Sequence, residues 1–151
     1  MRFMILLRAN KETESGAVPS TELLAAMGKY NEALVNAGVL DAAEGLQPTS
    51  KGVRVRLKGT QSTVTQGPFT DADHDIAGFW MFNVKSLDEA IQWVKRCPFP
   101  FENSGEAEIE IRQVFEASDF GAQFTPELRE AEERMRAHIQ EHHVPTGTTK
   151  H

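Results

Sequence analysis

The sequence has little of what marks several common protein classes. Its 151 residues contain one cysteine, Cys97, so no disulfide can form within the chain. The N-terminal apolar run from Phe3 to Leu7 ends at Arg8 and is too short for a signal-peptide core or a membrane span. We therefore expect a cytoplasmic protein that does not interact with membranes.

Clustered positive charge is also missing. The chain has 16 Lys and Arg against 22 Asp and Glu, a formal net charge of −6. Nucleic-acid binding needs grouped cations to neutralise phosphates, so we expect no direct nucleic-acid partner. A hydrophobic content of 40% and this length are typical of one globular domain.

Familiar motifs for cofactors and nucleophiles are absent from the sequence. It has no Gly-rich phosphate loop, no Cys-His cluster and no serine nucleophile elbow. Cys97 has no adjacent histidine and is interpreted as a buried thiol. His138 and His142 have a spacing that suits zinc, but no second ligand motif accompanies them. We expect no cofactor and no metal.

The hydrophobic pattern predicts an α+β domain over residues 1–115. Its predicted elements are a strand at Phe3–Leu7, a helix from Ser20 to Gly38, an extended segment at Val39–Leu46, a hairpin turning at Gly59, a strand at Ile76–Val84, a helix capped by Ser86, and a strand at Ala107–Val114. This order resembles a ferredoxin-like βαββαβ sandwich, in which the first and third core strands are central.

The two predicted central strands, Phe3–Leu7 and Ile76–Val84, are apolar on both faces, whereas two helices can cover only one face of a sheet. The second face must meet another apolar surface, and the same face of a second copy is the favoured partner. We therefore expect a homodimer. The open alternative is that the C-terminal helix folds back over its own sheet.

Residues 116–151 are predicted to form a C-terminal helical extension with a frayed end. Thr125 is a suitable cap, Pro126 occupies the first helical position, and a narrow apolar stripe follows. The stripe consists of Leu128, Ala131, Met135 and Ile139. The sequence leaves open whether this helix packs on its own subunit or on a partner.

Four segments together resemble the YCII-related (YciI-like) family, specifically its DGPF domain subgroup. They are "AGVLDAAEGLQP", "TQGPF", "GFWMFNVKSLDEAIQWVKRCP" and "EIEIRQV", within a similarity that runs from Met1 to Val114. Gln66 replaces the aspartate that gives the subgroup its name, while Gly67, Pro68 and Phe69 match. The resemblance implies a dimeric α/β barrel with a cleft in each subunit.

The resemblance implies little about chemistry, because most family members are uncharacterised. One relative is a dehydrochlorinase of a chlorinated hydroquinone, and some DGPF proteins are encoded beside or fused to sigma factors. In YciI-type members a histidine near the start of the first helix pairs with an aspartate after the Gly-Pro step. Asp73 matches that aspartate, or Asp71 if the loop is gapped, but Ser20–Gly38 contains no histidine.

Two groups of acidic residues are the candidate catalytic residues. Asp71, Asp73 and His74 follow the Gly-Pro step, where they would serve as general acid or base, although such a loop is also typical of a solvated turn. Glu44 lies among small residues that leave room for a ligand. The alternative for Glu44 is an ion pair with Arg8 or Arg112.

Four residues form the predicted binding set, and Asp71 is one of them. Asp71 and Arg112 are binding candidates, the latter because arginine binds anions through two donors, although alternating arginines are typical of a solvated face. Trp80 is a candidate pocket wall that is equally suited to the core, and Phe69 of the Gly-Pro-Phe segment is added to the binding set.

These observations favour two functions. The first is a small homodimer with one pocket per subunit, either a cofactor-free enzyme acting on a small organic molecule or a ligand-binding protein of the same shape. The enzyme would use Asp73 or Glu44 as base, with His74 or an arginine polarising the substrate. The second is a non-catalytic regulatory interaction module associated with a sigma factor.

Overall fold

The computed structural model describes residues 1–70, 74–98 and 106–142, and it contains two compact units, Met1–Val114 and Phe115–His151. No helix in the described part of the chain has the length and apolar composition needed to cross a bilayer. The helices and strands are β1 Arg2–Arg8, α1 Lys11–Glu14, α2 Thr21–Asn36, β2 Leu40–Gly45, β3 Val53–Lys58, β4 Gln61–Gln66, β5 Ile76–Asn83, α3 Leu87–Lys95, β6 Ile109–Gln113 and α4 Pro126–His142.

The first unit contains a four-stranded sheet of order β2-β5-β1-β6, with every neighbouring pair antiparallel. The two doubly apolar strands, β1 and β5, are central as predicted. This α+β arrangement is compatible with a ferredoxin-like fold. Strands β3 and β4 pair only with each other, so the predicted hairpin forms a separate two-stranded sheet.

The strand register separates the sheet into two faces. Phe3 and Ile5 of β1 lie opposite Phe82 and Trp80 of β5, and all four side chains are buried on the face that α2 and α3 cover. The alternate residues form the second sheet face, whose central side chains are only half-buried. These are Met4, Leu6, Phe79 and Met81. The predicted two-faced pattern of both strands is therefore confirmed.

Local capping explains where the two long helices of the first unit begin. The Ser20 hydroxyl accepts from the Leu23 amide at 3.2 Å, and the Ser86 hydroxyl accepts from the Glu89 amide at 3.2 Å. Gly38, with a φ of +72°, follows α2 in a conformation that disfavours other residues. These predicted boundaries are confirmed, whereas α1, capped by Asn10, was not predicted.

Both faces of the hairpin are exposed to solvent. Every residue of β3 and β4 is exposed, including Val53, Val55, Leu57 and Val64. The alternating pattern correctly predicted two strands around Gly59. The same pattern does not show whether the apolar side chains of the hairpin are buried. They are covered only if the hairpin packs against a larger sheet or a helix.

The second unit is built around aromatic rings and one charged helix. The rings of Phe115 and Phe120 are stacked with centroids 5.1 Å apart, and the rings of Phe120 and Phe124 are tilted with centroids 5.7 Å apart. The Thr125 hydroxyl accepts from the Leu128 amide at 3.4 Å at the start of α4, as the capping pattern predicts. The large residues of the predicted stripe are exposed, being Leu128, Met135 and Ile139.

Two ionisable groups of the first unit, the buried Tyr30 and the half-buried Cys97, are held in their neutral form. The Tyr30 hydroxyl donates to the Trp93 carbonyl at 2.8 Å, and burial raises the pKa of this phenol far above its ordinary value. Burial also raises the pKa of the Cys97 thiol to about 11. Cys97 is therefore protonated at neutral pH and is not an activated nucleophile, as the sequence predicts.

These two groups predict a loss of stability in alkali. The unfolded chain releases the Cys97 proton near the ordinary pKa of 9.0, whereas the folded chain holds it until about 11. Stability is therefore complete below the lower value and falls as pH rises between the two. Urea unfolding across this range should show a falling midpoint, and a flatter decline in a Tyr30→Phe, Cys97→Ala double variant. An equal decline in both proteins would contradict this assignment.

Candidate ligand-binding cavity

A cavity of about 530 Å³ lies in the first unit between α2 and one end of the sheet. Its floor is formed by Leu7, Ala43, Gly45, Gly78 and Trp80, and its other wall by residues of α2 from Leu23 to Asn31. Ligand pockets generally enclose roughly 300–1,000 Å³ and are mostly apolar, so this cavity has the size and composition of a small-molecule site.

The cavity exists because small residues meet across β2 and β5. Gly45 lies directly opposite Gly78, so no side chain rises from this part of the floor, and the neighbouring Ala43 adds only a methyl group beside Trp80. Gly78 has a second role: a Cβ there would lie 3.0 Å from the Glu44 carbonyl oxygen. Glycine at this position therefore both leaves space and allows the two strands to approach.

The opposite wall comes from one face of α2. Leu23, Met27 and Asn31 are spaced four residues apart, so they lie in one row along the helix and line the cavity together. The mouth is also apolar. Three lining side chains there are exposed to solvent by 50% or more, namely Val18, Leu24 and Leu46.

The fixed polar group of the cavity is the Asn31 amide. The indole Nε1–H of Trp80 donates to Asn31 Oδ1 at 2.9 Å. Because an indole N–H can only donate, the atom of Asn31 that faces it must be the oxygen. The orientation of the amide is thereby settled by chemistry, and its NH₂ group is placed away from the indole.

Glu44 is the single charged residue among the described residues that line the cavity. It pairs across the strands with Phe79, whereas its neighbour Ala43 pairs with Trp80 on the helix-covered face. Since successive side chains of a strand point to opposite faces, the Glu44 carboxylate is directed toward the second sheet face. The side of the cavity facing α2 therefore receives no charged side chain from this strand.

Thr49 is hydrogen-bonded to two other segments of the chain beside the cavity mouth. Its amide and hydroxyl donate to the two carboxylate oxygens of Glu14, at 3.2 and 2.5 Å. The same hydroxyl oxygen accepts from the Phe69 amide at 3.2 Å. The loop after α1, the loop after β2 and the Gly-Pro-Phe segment are thus held at one residue.

The Gly67–Pro68 step has a cis peptide bond, and Gly67 packs directly on the Thr49 backbone. A Cβ at Gly67 would lie 1.7 Å from the Thr49 carbonyl oxygen, a distance that no side chain can occupy. Glycine before proline in a turn is usually explained by its permissive dihedral angles. The reason is instead close backbone approach, because Gly67 does not have a positive φ.

Beyond this turn, Arg54 links the hairpin to a buried acid. Arg54 Nη2 donates to Asp75 Oδ1 at 3.1 Å, and its guanidinium lies 3.9 Å from the centre of the Phe69 ring. The Asp75 side chain is only 5% exposed. Its other oxygen, Oδ2, is buried and has no hydrogen-bond partner among the described residues.

This pair predicts unequal effects of removing its two members. Arg54→Ala should cost about 2 kcal/mol or more of unfolding free energy, because it leaves the Asp75 carboxylate buried without a cation. Asp75→Asn should cost less, and Arg54→Ala should cost little once Asp75 is neutral. Urea unfolding measures all three, with Arg56→Ala on the exposed hairpin as control. Equal costs for the two single variants would contradict the prediction.

Among the predicted catalytic residues, Glu44 and His74 lie in the described part of the chain. Glu44 is exposed on β2, and neither Arg8 nor Arg112 pairs with it: Arg8 pairs with Glu108 and Arg112 with Glu110. His74 is exposed and does not line the cavity. Asp71 and Asp73 lie outside the described residues.

The predicted binding residues are also dispersed. Trp80 lies in the cavity floor and is buried in the core at the same time, so both interpretations of it hold. Phe69 lies against Arg54, and Arg112 is on the edge strand β6. The rings of His138 and His142 are 4.2 Å apart, and the described ranges of the chain contain no group of three metal-binding side chains.

Sequence reasoning missed Asn31 and the two facing glycines. A signal for Asn31 was present, because it continues the spacing of Leu23 and Met27 as a polar residue on an apolar face. Gly45 and Gly78 each stand in a small-residue context, but their pairing depends on the register of β2 against β5. That register is not visible in either segment alone.

A known protein family matches the sequence of the first unit. The YCII-related domain matches residues 1–118. The chain belongs to the YCII-related family. Among known proteins it is similar to an uncharacterized protein of Rhizobium meliloti (strain 1021), with 28% identity over 88 residues. That match covers 58% of this YCII-related chain and 68% of the relative.

Proposed function

We propose that this YCII-related protein binds a small, uncharged and largely apolar organic molecule in the cavity between α2 and the sheet. The observation that carries the proposal is the lining, which is mostly aliphatic and aromatic. It contains one amide fixed by an indole, one carboxylate that strand alternation directs toward the second sheet face, and no cation among its described residues. Burying an anionic ligand there would leave its charge without a partner, which is costly. The Gly67-Pro68-Phe69 segment further supports membership of the DGPF subgroup.

Binding rather than catalysis is favoured by the position of the acid-base groups. A general base must come within hydrogen-bond reach of the proton it removes. Glu44 is the one ionisable residue among the described residues of the lining, and strand alternation directs its carboxylate toward the second sheet face. Glu44→Gln is therefore expected to leave ligand affinity nearly unchanged. A large loss of affinity would instead favour a catalytic site on that face.

The test uses two probes that share a tricyclic skeleton, fluorene and fluorenecarboxylate. Titration followed by tryptophan fluorescence should show saturable binding of fluorene to the folded chain. The carboxylate should bind at least tenfold more weakly, a difference of about 1.4 kcal/mol, because its charge must be desolvated. Failure of fluorene to bind, or tighter binding of the carboxylate, would contradict the proposal.

We also propose that the chain forms a homodimer through its second sheet face. The half-buried centre of this face is apolar, and the neighbouring edge strands contribute Glu44, Glu110 and Arg112 to the same face. An apolar centre with a polar rim is the usual anatomy of a protein interface. A second copy supplies a surface of matching character through a two-fold contact.

Met81→Glu tests the dimer, because Met81 is at the centre of the second sheet face. A buried, unpaired carboxylate is strongly unfavourable, so this variant should sediment as a monomer at micromolar concentration where the wild type sediments as a dimer. The matched control is Leu57→Glu, which places the same charge on the exposed hairpin. A monomeric wild type, or a dimeric Met81→Glu variant, would contradict the proposal.

A further inference from the structure

The oxygen of the Asn31 amide is hydrogen-bonded, whereas its NH₂ group can donate to a ligand. Its oxygen accepts the Trp80 indole proton at 2.9 Å. Its Nδ2 group, which carries two donor hydrogens, has no hydrogen-bond partner among the described residues, although Asn31 belongs to the cavity lining. The two neighbours in its row, Leu23 and Met27, offer a ligand no hydrogen bond.

Three other polar residues among those that the structure describes line the cavity, namely Thr13, Glu44 and Gln47. Strand alternation directs the Glu44 carboxylate toward the second sheet face. The Thr13 hydroxyl already donates to the Asn10 carbonyl at 3.0 Å within the α1 cap, and it also accepts from the Asn10 amide. Gln47 is exposed near the cavity mouth. Asn31 is therefore the polar lining residue that is hydrogen-bonded to a residue of the cavity floor. Because the Trp80 indole occupies the amide oxygen, Asn31 presents its NH₂ group to a ligand.

We propose that Asn31, oriented by Trp80, selects neutral apolar ligands that carry a hydrogen-bond acceptor, such as a ketone oxygen. The inference rests on the proposed function, since it specifies the ligand class of the same cavity. A ligand without an acceptor would cover the NH₂ group and leave it unpaired. A site built to donate a hydrogen bond discriminates against ligands that cannot accept one, because the buried donor then loses its water without replacement.

Fluorenone and fluorene provide the test, because they differ by a carbonyl in place of a methylene on one skeleton. Fluorenone should bind the wild type about tenfold more tightly than fluorene, the size expected for one hydrogen bond to a partly enclosed donor. Asn31→Asp keeps an acceptor for the Trp80 indole but replaces the donor with a carboxylate oxygen. This variant should then bind fluorenone about as tightly as fluorene, or more weakly.

Asn36→Asp is the matched control, because it makes the same change at the exposed end of α2 outside the cavity lining. It should retain the wild-type preference. Equal binding of the two probes to the wild type, or an unchanged preference in Asn31→Asp, would overturn the inference while leaving a cavity that binds apolar molecules. Failure of both probes to bind the wild type would overturn the proposed function as well.

Discussion

Gly67→Ala should destabilise the first unit by about 3 kcal/mol or more, because the added methyl group has no space. Its Cβ would lie 1.7 Å from the Thr49 carbonyl oxygen and 2.6 Å from the carbonyl carbon, both of them backbone atoms. Relief requires one loop to move. That movement would break the hydrogen bond of 2.9 Å from the Gly67 amide to the Gly52 carbonyl.

Gly52→Ala is the control for this effect. A Cβ at Gly52 meets the same Thr49 carbonyl oxygen at 3.4 Å, which is ordinary van der Waals contact, and Gly52 has a negative φ of −109°. Its cost should stay within about 1 kcal/mol in urea unfolding. If Gly67→Ala were as stable as Gly52→Ala, the close packing of the Gly-Pro-Phe turn against Thr49 would be wrong.

Gly45→Leu should reduce ligand affinity at least a hundredfold, about 2.7 kcal/mol, with little loss of stability. A Cβ at Gly45 meets no atom within 4 Å, and the strand register places it on the cavity floor opposite Gly78. The new side chain can therefore occupy the space that the ligand needs without a backbone clash. Titration with fluorenone measures the loss of affinity, and thermal unfolding measures the stability.

Gly28→Leu is the matched control, since Gly28 also has open space at its Cβ but does not line the cavity. It lies on the exposed side of α2, where leucine has a better helix propensity than glycine. This variant should bind as the wild type does. Equal losses in both variants would show that the ligand binds elsewhere or that the effect is not steric.

The central strands of the sheet were predictable from sequence because their residue composition indicates burial on both faces. Phe3–Leu7 and Ile76–Val84 are apolar on both faces, and such strands are interior in almost any sheet. The caps at Ser20 and Ser86 were equally local signals, each needing only a hydroxyl near a free amide. These features depend on residues close together in sequence.

The cavity was less predictable because it depends on contacts between distant segments. Small residues around Glu44 suggested room for a ligand, and Ala43, Glu44 and Gly45 of β2 line the cavity. The direction of the Glu44 carboxylate, however, is set by pairing with Phe79, and the role of Gly67 is set by Thr49. The orientation of the Asn31 amide is set by its hydrogen bond with Trp80, which is 49 residues away in sequence.

The central claim, that the cavity between α2 and the sheet binds an apolar molecule, can be tested with the chain's two tryptophans. Trp80 lines the cavity, whereas Trp93 lies on α3 outside it. In a nitrogen-labelled sample each indole N–H gives its own nuclear magnetic resonance signal, assigned with Trp93→Phe. Saturation with fluorenone should shift the Trp80 signal and leave the Trp93 signal in place. An unmoved Trp80 signal, or an equal shift of both signals, would contradict the account.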